Sequence, residues 1–408
     1  MSNLEQKLSH LIQPGQRIYV AGSSNEPTGL LNAMAEVDLP ANLEFIQFPL
    51  PGLNGTDFTA WNATATLTTF FMTATLAKAD LERVNYLPMQ MRAVFDYLAH
   101  NVDVYLVQVA KDAEGILRLG PNVDFHEGVM QSAKVIIAEL NTSFIAPASS
   151  ARINIAQIDH LFETNRPLTE MPVPKIDEAA LQIGALVADL VGDGDCLQTG
   201  IGAIPAAILS QLGNKNDLGL HGGLIDDGGM ALIQAGNITG AAKAIDRHQH
   251  VTGMALGSIE LMTWLSQRRD VSFRCADHTH EVQAIRQLEN FVSINSAVEV
   301  DLFGQVNAEV ANSRQISGTG GSVDFMRAAK ASKGGRSIVA MNATARGGTV
   351  SRIVPKVEMV TALRTDVDIV VTEFGVAHLK HLPNRARFEA LIEIAAPEFR
   401  QGLRDQLS

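Results

Sequence analysis

The chain has 408 residues, and its 46% hydrophobic and 19% charged residues are typical of a globular protein of about two domains. A formal net charge of −12 argues against a nucleic-acid or anionic-membrane partner, because binding either one needs a basic surface. Two cysteines, Cys196 and Cys275, are too few for a disulfide framework and fit a reducing compartment.

The predicted elements of the N-terminal half alternate between strands and helices. Residues 1–13 are polar and helix-like, without the apolar core of a signal peptide, and no apolar run in the chain is long enough to span a bilayer. We therefore expect a soluble, cytoplasmic protein. Apolar runs predict strands at residues 18–21, 43–48, 102–109 and 135–140, with a helix over residues 28–35. This alternation predicts a mostly parallel sheet with both faces covered.

Two segments of the N-terminal half are predicted to lack regular structure. Residues 49–62 are rich in Pro, Gly, Asn and Thr, which indicates a loop, and long ordered loops are more often functional than idle. Residues 166–175 contain three prolines among polar residues and form the best linker candidate. We therefore expect an N-terminal domain at residues 1–175 and a C-terminal domain at residues 176–408.

The C-terminal half begins with an amphipathic helix over residues 176–190 and a short strand at residues 195–198. The strand leads into Gly200-Ile201-Gly202 and then an apolar helix with Pro205 in its first turn, where a proline is tolerated. Glycines let the backbone approach a ligand closely, and a helix N-terminus offers free N–H groups to an anion. A tight strand-to-helix connection is the simpler interpretation of the same motif.

The second half repeats the first in outline. Residues 14–22, 132–141 and 158–163 resemble residues 192–200, 334–342 and 367–373, in the same order. The three matches indicate two α/β halves of one ancestry, with a cleft between them as a natural ligand site. The alternative is that parallel strands simply look alike.

Five motifs, at residues 198–205, 295–301, 317–325, 344–355 and 371–377, resemble the family I CoA-transferases. The closest branch is the acetyl-CoA hydrolase/4-hydroxybutyrate CoA-transferase group. The resemblance covers nearly the whole chain. It implies two similar open α/β domains with mostly parallel sheets, CoA bound between them, and CoA transfer from an acyl-CoA to a carboxylate through a glutamyl-CoA thioester.

The resemblance also implies roles for residues of the glycine turns. The backbone amides of Ile201 and Gly321 correspond to the family's oxyanion hole. The residues expected near CoA are Gly200, Gly202, Ala203, Gly318 and Gly320. The candidates for binding the phosphates of CoA are Lys333, Arg346, Gly347 and Gly348. An equally good interpretation is that these residues form ordinary solvent-exposed glycine turns next to a basic side chain. The carboxylates of Glu299 and Asp324 are more simply read as caps or ion-pair partners.

The sequence departs from the family at the catalytic centre. The family's nucleophilic glutamate falls in a segment like Gly-Leu-His-Thr-Glu-Met, whereas this chain has glycine, Gly223, at that position. Glycine forms neither a mixed anhydride nor a thioester. A neighbouring family position, usually asparagine, falls in residues 277–281, where this chain has histidine.

Three hypotheses follow from this departure. In the first, the protein is a CoA-transferase whose nucleophilic carboxylate has moved, and the candidates are Glu26, Asp57, Asp226 and Asp227. In the second, it is an acyl-CoA thioesterase in which water is activated by His221, His278 or His280. In the third, it is a non-catalytic CoA-binding protein.

The acyl group and the acceptor stay open at this point. A C2–C5 acid is expected, of the succinate or itaconate, 4-hydroxybutyrate, acetate or butyrate type, with Arg346, Arg352 or the turn at residues 23–25 holding a second carboxylate. No permanently bound cofactor and no metal are predicted, since His278 and His280 alone make a poor metal site. We expect acyl-CoA and a small carboxylate as partners, and a homo-oligomer, most simply a dimer.

Overall fold

The computed structural model describes residue 8 and residues 10–406 of the chain. Most of the helix expected within residues 1–13 lies outside the described residues, and residues 8, 10 and 11 are helical. The strands, in chain order, are β1 (Arg17–Val20), β2 (Glu44–Gln47), β3 (Thr66–Thr69), β4 (Val84–Tyr86), β5 (Val104–Lys111), β6 (Leu117–Leu119), β7 (Val135–Asn141), β8 (His160–Thr164), β9 (Cys196–Gln198), β10 (Gly219–Leu220), β11 (Leu224–Ile225), β12 (His250–Thr252), β13 (Met254–Ala255), β14 (Val271–Phe273), β15 (Phe291–Asn295), β16 (Glu299–Asp301), β17 (Val306–Asn307), β18 (Val310–Ala311), β19 (Arg314–Gln315), β20 (Arg336–Ala340), β21 (Thr344–Ala345), β22 (Val350–Ser351), β23 (Ile353–Val354), β24 (Ile369–Thr372) and β25 (Gly375–His378).

The helices alternate with these strands. In chain order the α-helices are α1 (Thr28–Met34), α2 (Met91–Leu98), α3 (His126–Ser132), α4 (Glu178–Asp189), α5 (Ala203–Ser210), α6 (Asp227–Gln234), α7 (Ile259–Ser266), α8 (Ala276–Thr279), α9 (Val282–Ile285), α10 (Ser322–Ala331), α11 (Asn384–Glu393) and α12 (Pro397–Asp405). Short 3-10 helices lie at Ser23–Asn25, Phe58–Ala60, Leu76–Lys78, Leu81–Arg83 and Ile155–Gln157. Among the described residues, the helices are too short or too polar to cross a membrane.

The chain divides into two compact units. The first unit comprises Met1–Pro172 and Thr252–Asp277, and the second comprises Val173–Val251 and His278–Ser408. Residues 252–277, which the sequence analysis assigned to the C-terminal domain, therefore pack with the first unit. Sequence composition gave no sign of this because the chain enters and leaves the segment without a linker-like stretch.

A parallel sheet forms the centre of the first unit. Its strand order is β4-β3-β2-β1-β5-β7-β8, and β6 pairs with β5 in the antiparallel sense. Strand β5 is buried at every position but its last, which is why it reads as an apolar run rather than an alternating pattern. The core beside the sheet includes Leu30 and Met34 of α1 and the stacked rings of Phe45 and Phe58, whose centroids are 4.7 Å apart.

The second unit has a similar sheet. Its strand order is β10-β9-β15-β20-β24-β25, in which only β25 is antiparallel to its neighbour. Helices α4 and α5 pack closely, since a Cβ atom on Gly184 would lie 2.9 Å from the Ala207 backbone. Helix α4 begins two residues after its predicted start, because the Asp177 side chain caps it by accepting from the Ala180 N–H at 2.8 Å.

The sequence repeat maps onto equivalent strands of the two sheets. Strands β1, β7 and β8 hold the same places in the order β2-β1-β5-β7-β8 as β9, β20 and β24 hold in the order β10-β9-β15-β20-β24. The predicted fold class, two similar open α/β halves with mostly parallel sheets, is thus confirmed. The repeat reflects equivalent positions in the fold, beyond the common appearance of parallel strands.

Candidate active site

The sheet of the second unit has a switch point, where its strand order reverses, between β9 and β15. Ligands of open α/β sheets bind at such a point, beyond the carboxyl ends of the strands. Three polar side chains meet there. Ser293 Oγ and Asn295 Nδ2 each donate to Gln198 Oε1 at 3.1 Å, and Asn295 Nδ2 also donates to Ser293 Oγ at 2.8 Å. The floor of the candidate site is therefore a fixed hydrogen-bond network.

The first glycine turn rises directly from this floor. Gly202 has φ +114° and precedes α5, whose first residue is Ala203 and whose N-terminus carries no side-chain cap. A Cβ atom on Gly200 or Gly202 would meet nothing within 4 Å, and Ile201 is 42% exposed. The backbone of the turn thus faces open space, where its N–H groups can bind an anion or an oxyanion.

The second glycine turn precedes α10, the crossover helix that leads to β20. Gly318 is buried, Gly320 has φ +54° with nothing within 4 Å of a Cβ, and Gly321 is the uncapped N-terminal boundary of α10. A crossover helix between parallel strands starts at their carboxyl edge, so this turn lies at the same edge as the first one.

The imidazole of His280 occupies the space beside Gly223. A Cβ atom on Gly223 would lie 3.0 Å from His280 Cε1, and one on Gly321 would lie 2.4 Å from His280 Nε2. The ring also packs against Phe325, with centroids 4.5 Å apart. Histidine at position 280 and glycine at positions 223 and 321 are therefore mutually dependent. The nearest atoms to the vacant Gly223 position belong to His280 and Phe325, and a carboxylate is not among them.

His280 is neutral in this environment. Its Nδ1 lies 2.8 Å from Thr279 Oγ1, and burial lowers its pKa to about 3. A neutral imidazole can donate or accept at Nε2, depending on which tautomer the threonine hydroxyl selects. His280 can thus polarise a carbonyl or orient a water, but it is a weak base at neutral pH.

His221 and His278 lie together in a separate cluster. Their ring centroids are 5.5 Å apart, and His278 Nε2 is 2.8 Å from Asp246 Oδ2. Lys243 lies nearby, and its Nζ donates to the backbone oxygens of Leu220 and Gln249. The motif His278-x-His280 therefore does not act as a pair. Asp246 and Lys243 were not among the predicted site residues, because nothing in the local sequence at residues 239–249 distinguishes them from ordinary loop charges.

Glu26 lies at the corresponding switch point of the first unit, where the order reverses between β1 and β5. It is 6% exposed and accepts from Gln47 Nε2 at 2.8 Å and from Thr28 Oγ1 at 3.2 Å. Burial raises the pKa of its carboxyl above the usual value, and these hydrogen bonds oppose the rise. Glu26 also lines a cavity of about 10 Å³, room for one water-sized group, together with Arg166.

Arg166 organises this switch point, although it is the first residue of the predicted linker. Its guanidinium donates to Glu139 Oε1 at 2.7 Å, to Gln108 Oε1 at 2.7 Å and to the Glu26 carbonyl oxygen at 2.8 Å. Glu139 is fully buried. The proline-rich segment therefore begins at an anchored residue. The only sign of this in the sequence is Glu139, a charged residue within an apolar strand that needs a partner of opposite charge.

The other carboxylate candidates have structural roles. Asp57 Oδ1 caps the 3-10 helix Phe58–Ala60, accepting from the Thr59 N–H at 3.0 Å. Asp226 caps α6 by accepting from the Gly229 N–H at 2.8 Å, and Asp227 lies in the first turn of that helix. Each of these positions is explained by helix capping or by the favourable interaction of an acid with a helix N-terminus.

The candidates for the CoA phosphates are spread over both edges of the second sheet. Lys333 precedes β20, at the amino edge, and pairs with Glu289 at 3.0 Å, so the structure does not bring it to the glycine turns. Arg346, Gly347 and Gly348 form the exposed turn between β21 and β22, on the carboxyl side of β20. Arg346 Nη2 donates to Asn312 Oδ1 at 2.7 Å. Of the two groups, only this turn lies on the edge that carries the glycine turns.

Three further side chains singled out in the sequence have partners within the fold. The Arg352 guanidinium donates to the backbone oxygens of Ala297 and Val298, so it holds this loop in place. Glu299 Oε1 accepts from Asn307 Nδ2 at 2.9 Å. Asp324 is buried in the first turn of α10. The structural interpretation of the two acids agrees with these positions.

Comparison with known proteins identifies the family. The family model of the acetyl-CoA hydrolase/transferase C-terminal domain matches residues 257–407. The 4-hydroxybutyrate coenzyme A transferase of Clostridium kluyveri is 40% identical over 331 residues, covering 79% of this chain and 77% of that protein. The chain belongs to the acetyl-CoA hydrolase/transferase family of CoA-transferases. It is thus a member of a family of enzymes that use CoA thioesters as substrates.

Two further similarities support the assignment. The butyryl-CoA:acetate CoA-transferase of Anaerostipes caccae is 34% identical over 324 residues, covering 76% of this chain and 72% of that protein. The crystal structure of RipA from Yersinia pestis superposes with a TM-score of 0.90 at 32% identity, covering 98% of this chain and 95% of that one. The family similarity therefore extends over both α/β units.

Proposed function

We propose that this protein is an acyl-CoA:carboxylate CoA-transferase acting on short-chain acyl-CoA of two to five carbons. The proposal rests mainly on the 40% identity to a 4-hydroxybutyrate coenzyme A transferase. The two uncapped glycine turns at one edge of the second sheet support it, because acyl transfer needs N–H donors that face a developing oxyanion. Succinate or itaconate, 4-hydroxybutyrate, acetate and butyrate are the acids to test.

The N–H groups of Ile201 and Gly321 would stabilise the tetrahedral intermediates. A donor of this kind contributes about 3–4 kcal/mol to transition-state binding. In the transfer, an enzyme carboxylate attacks the thioester carbonyl and expels the CoA thiolate, which leaves a mixed anhydride. The thiolate then attacks the enzyme's own carbonyl, releasing the first acid and leaving an enzyme thioester that the acceptor carboxylate opens by the reverse steps.

The required carboxylate is assigned to Glu26, since Gly223 offers none. Glu26 lies at a switch point, lines a cavity and is partly desolvated, whereas Asp57 and Asp226 each cap a helix. Switch points are where α/β sheets place their reacting groups, and perturbed carboxyl pKa values cluster at such places. Glu26 combines these three features, and its carboxylate accepts from the side chains of Gln47 and Thr28 rather than capping a helix.

A thioesterase is the second candidate, and the position of His280 favours it. The imidazole fills the space beside Gly223 and touches the Gly321 turn, so it is placed to orient a water at a bound thioester carbonyl. Against this candidate, burial lowers the pKa of His280 to about 3, which makes the ring a weak base.

Acceptor dependence and chemical trapping test the proposal. With succinyl-CoA, butyryl-CoA or acetyl-CoA, we expect CoA transfer that requires an added carboxylate and follows ping-pong kinetics. Hydroxylamine added with acyl-CoA alone should modify Glu26, located by mass spectrometry. Glu26→Gln should abolish both signals, while Asp57→Asn, the matched control on a capping carboxylate, should retain them. Turnover indifferent to acceptor would instead identify a thioesterase, and CoA binding without turnover would identify a non-catalytic protein.

Restoring a carboxylate at position 223 separates the two enzymatic candidates. The variant Gly223→Glu/His280→Ala makes room for the glutamate, and Gly223→Gln/His280→Ala is its uncharged control. If Glu26 is the nucleophile, the glutamate variant gains no transfer activity over its control. A clear gain would point to a thioesterase that has lost its nucleophile, and would overturn the assignment to Glu26.

A further inference from the structure

His221, Asp246 and His278 bring three metal-binding side chains together in the second unit. One ligand atom of each lies within 4.8 Å of the ligand atoms of the other two. The fold assembles them from separate segments: His221 directly follows β10, Asp246 lies in the loop before β12, and His278 lies in α8. The arrangement was not visible in the sequence, because the first and last members lie 57 positions apart.

The imidazole of His221 is buried without a hydrogen bond. The residue is 0% exposed, and within the described part of the chain neither Nδ1 nor Nε2 has a hydrogen-bond partner. A buried polar group left without a partner destabilises the fold, so it calls for an explanation.

We propose that His221, Asp246 and His278 bind a zinc ion. Two imidazole nitrogens and one carboxylate oxygen form a ligand set that zinc prefers, and hard cations such as Mg²⁺ and Ca²⁺ favour oxygen alone. Three protein ligands leave a fourth position for water. The side chains of His278 and Asp246 are 23% and 21% exposed, which leaves an access route from solvent.

Small side-chain rotations complete the geometry. Ligand atoms around a tetrahedral zinc ion lie ~3.4 Å apart, given zinc–ligand distances of about 2.1 Å. The contact between His278 Nε2 and Asp246 Oδ2 is already 2.8 Å, and the third atom lies within 4.8 Å of both. The positive charge of Lys243 opposes the binding of a cation nearby. This opposition is reduced because the Lys243 Nζ donates to two carbonyl oxygens and because burial lowers its pKa. The site does not depend on the proposed acyl transfer.

Metal binding to the full chain, stripped of metal by chelator dialysis, tests the proposal. We expect one equivalent of Zn²⁺ by isothermal titration and elemental analysis, and one equivalent of Co²⁺ with visible bands of tetrahedral intensity. His278→Gln and Asp246→Asn should weaken Zn²⁺ binding by at least tenfold. His248→Gln, an exposed histidine on the same loop as Asp246, should bind as the wild type does. No binding by the wild type, or equal binding by His278→Gln, would overturn the proposal.

A second variant keeps the test decisive if His278→Gln fails to fold. His278→Cys retains a zinc-binding side chain, so it should bind Co²⁺ and add a thiolate-to-cobalt absorption band in the near ultraviolet. Circular dichroism establishes that each variant is folded, and Zn²⁺ should raise the thermal midpoint of the wild type and His248→Gln. A folded His278→Cys variant that binds Co²⁺ without that band would show that residue 278 is not a ligand.

Discussion

The packing of His280 against Gly223 gives the sharpest structural prediction. In Gly223→Ala, the added Cβ would lie 3.0 Å from His280 Cε1 and 3.1 Å from its Nε2. The ring has little room to withdraw, because Phe325 packs against it and a Cβ on Gly321 would lie only 2.4 Å away. We therefore expect a single methyl group to strain this part of the second unit.

The expected cost follows from the behaviour of overpacked cores. Extra carbon atoms in a well-packed site destabilise by about 1–3 kcal/mol. In a domain of roughly 150–250 residues, each kcal/mol lowers the unfolding midpoint by about 2–4 °C, so Gly223→Ala should lower it by about 2–12 °C. Gly213→Ala is the matched control, since a Cβ there would meet nothing within 4 Å, and it should change the midpoint by less than about 2 °C.

A double-mutant cycle isolates the contact. Once His280→Ala has removed the ring, Gly223→Ala should cost less than about 0.5 kcal/mol, which leaves a coupling energy of about 0.5–3 kcal/mol between the two positions. The measurements are urea and thermal unfolding of the four proteins, followed by circular dichroism. If Gly223→Ala costs the same with and without the His280 ring, or costs nothing in the wild type, the proposed steric dependence is refuted.

Three further predictions concern burial, capping and pH. Arg166→Met should destabilise by about 3–5 kcal/mol in urea unfolding, because buried Glu139 loses its ion pair. Arg269→Met, which breaks an exposed ion pair with Glu114, is the control and should cost under about 1 kcal/mol. Asp57→Ala should lower the free energy of unfolding by about 1 kcal/mol, because a helix cap is lost, while acceptor-dependent turnover persists. Loss of turnover would instead identify Asp57 as the nucleophile. The folded-state pKa of His280, about 3, lies below its unfolded value of ~6.5. The neutral His280 ring therefore contributes its whole stabilising free energy above pH ~6.5, and this contribution decreases as the pH falls below that value. His280→Asn should consequently lose less stability between pH 7.5 and 5 than the wild type does. Equal losses would refute a buried neutral ring.

Residue order alone determined the fold class and much of the candidate site. Apolar runs such as the one that became β5 predict buried parallel strands, since both faces of such a strand are covered. The repeat predicted two similar sheets, and Gly202 and Gly320 marked turns that need positive φ. These features are local, so they are legible without a structure. Strands β3 and β4 escaped prediction because their short, Thr- and Asn-containing segments lack an apolar run.

Only the tertiary structure decided which side chains meet. Residues 252–277 joined the first unit, and Arg166 proved to be the partner of Glu139 instead of a linker residue. His280 came to lie against Gly223 and Gly321, and His278 came to lie with Asp246 and His221. Parallel sheets gather the carboxyl ends of distant strands at one edge, but the paths of the connecting loops decide which side chains touch there. Those paths depend on packing over the whole unit, which no local pattern of residues encodes.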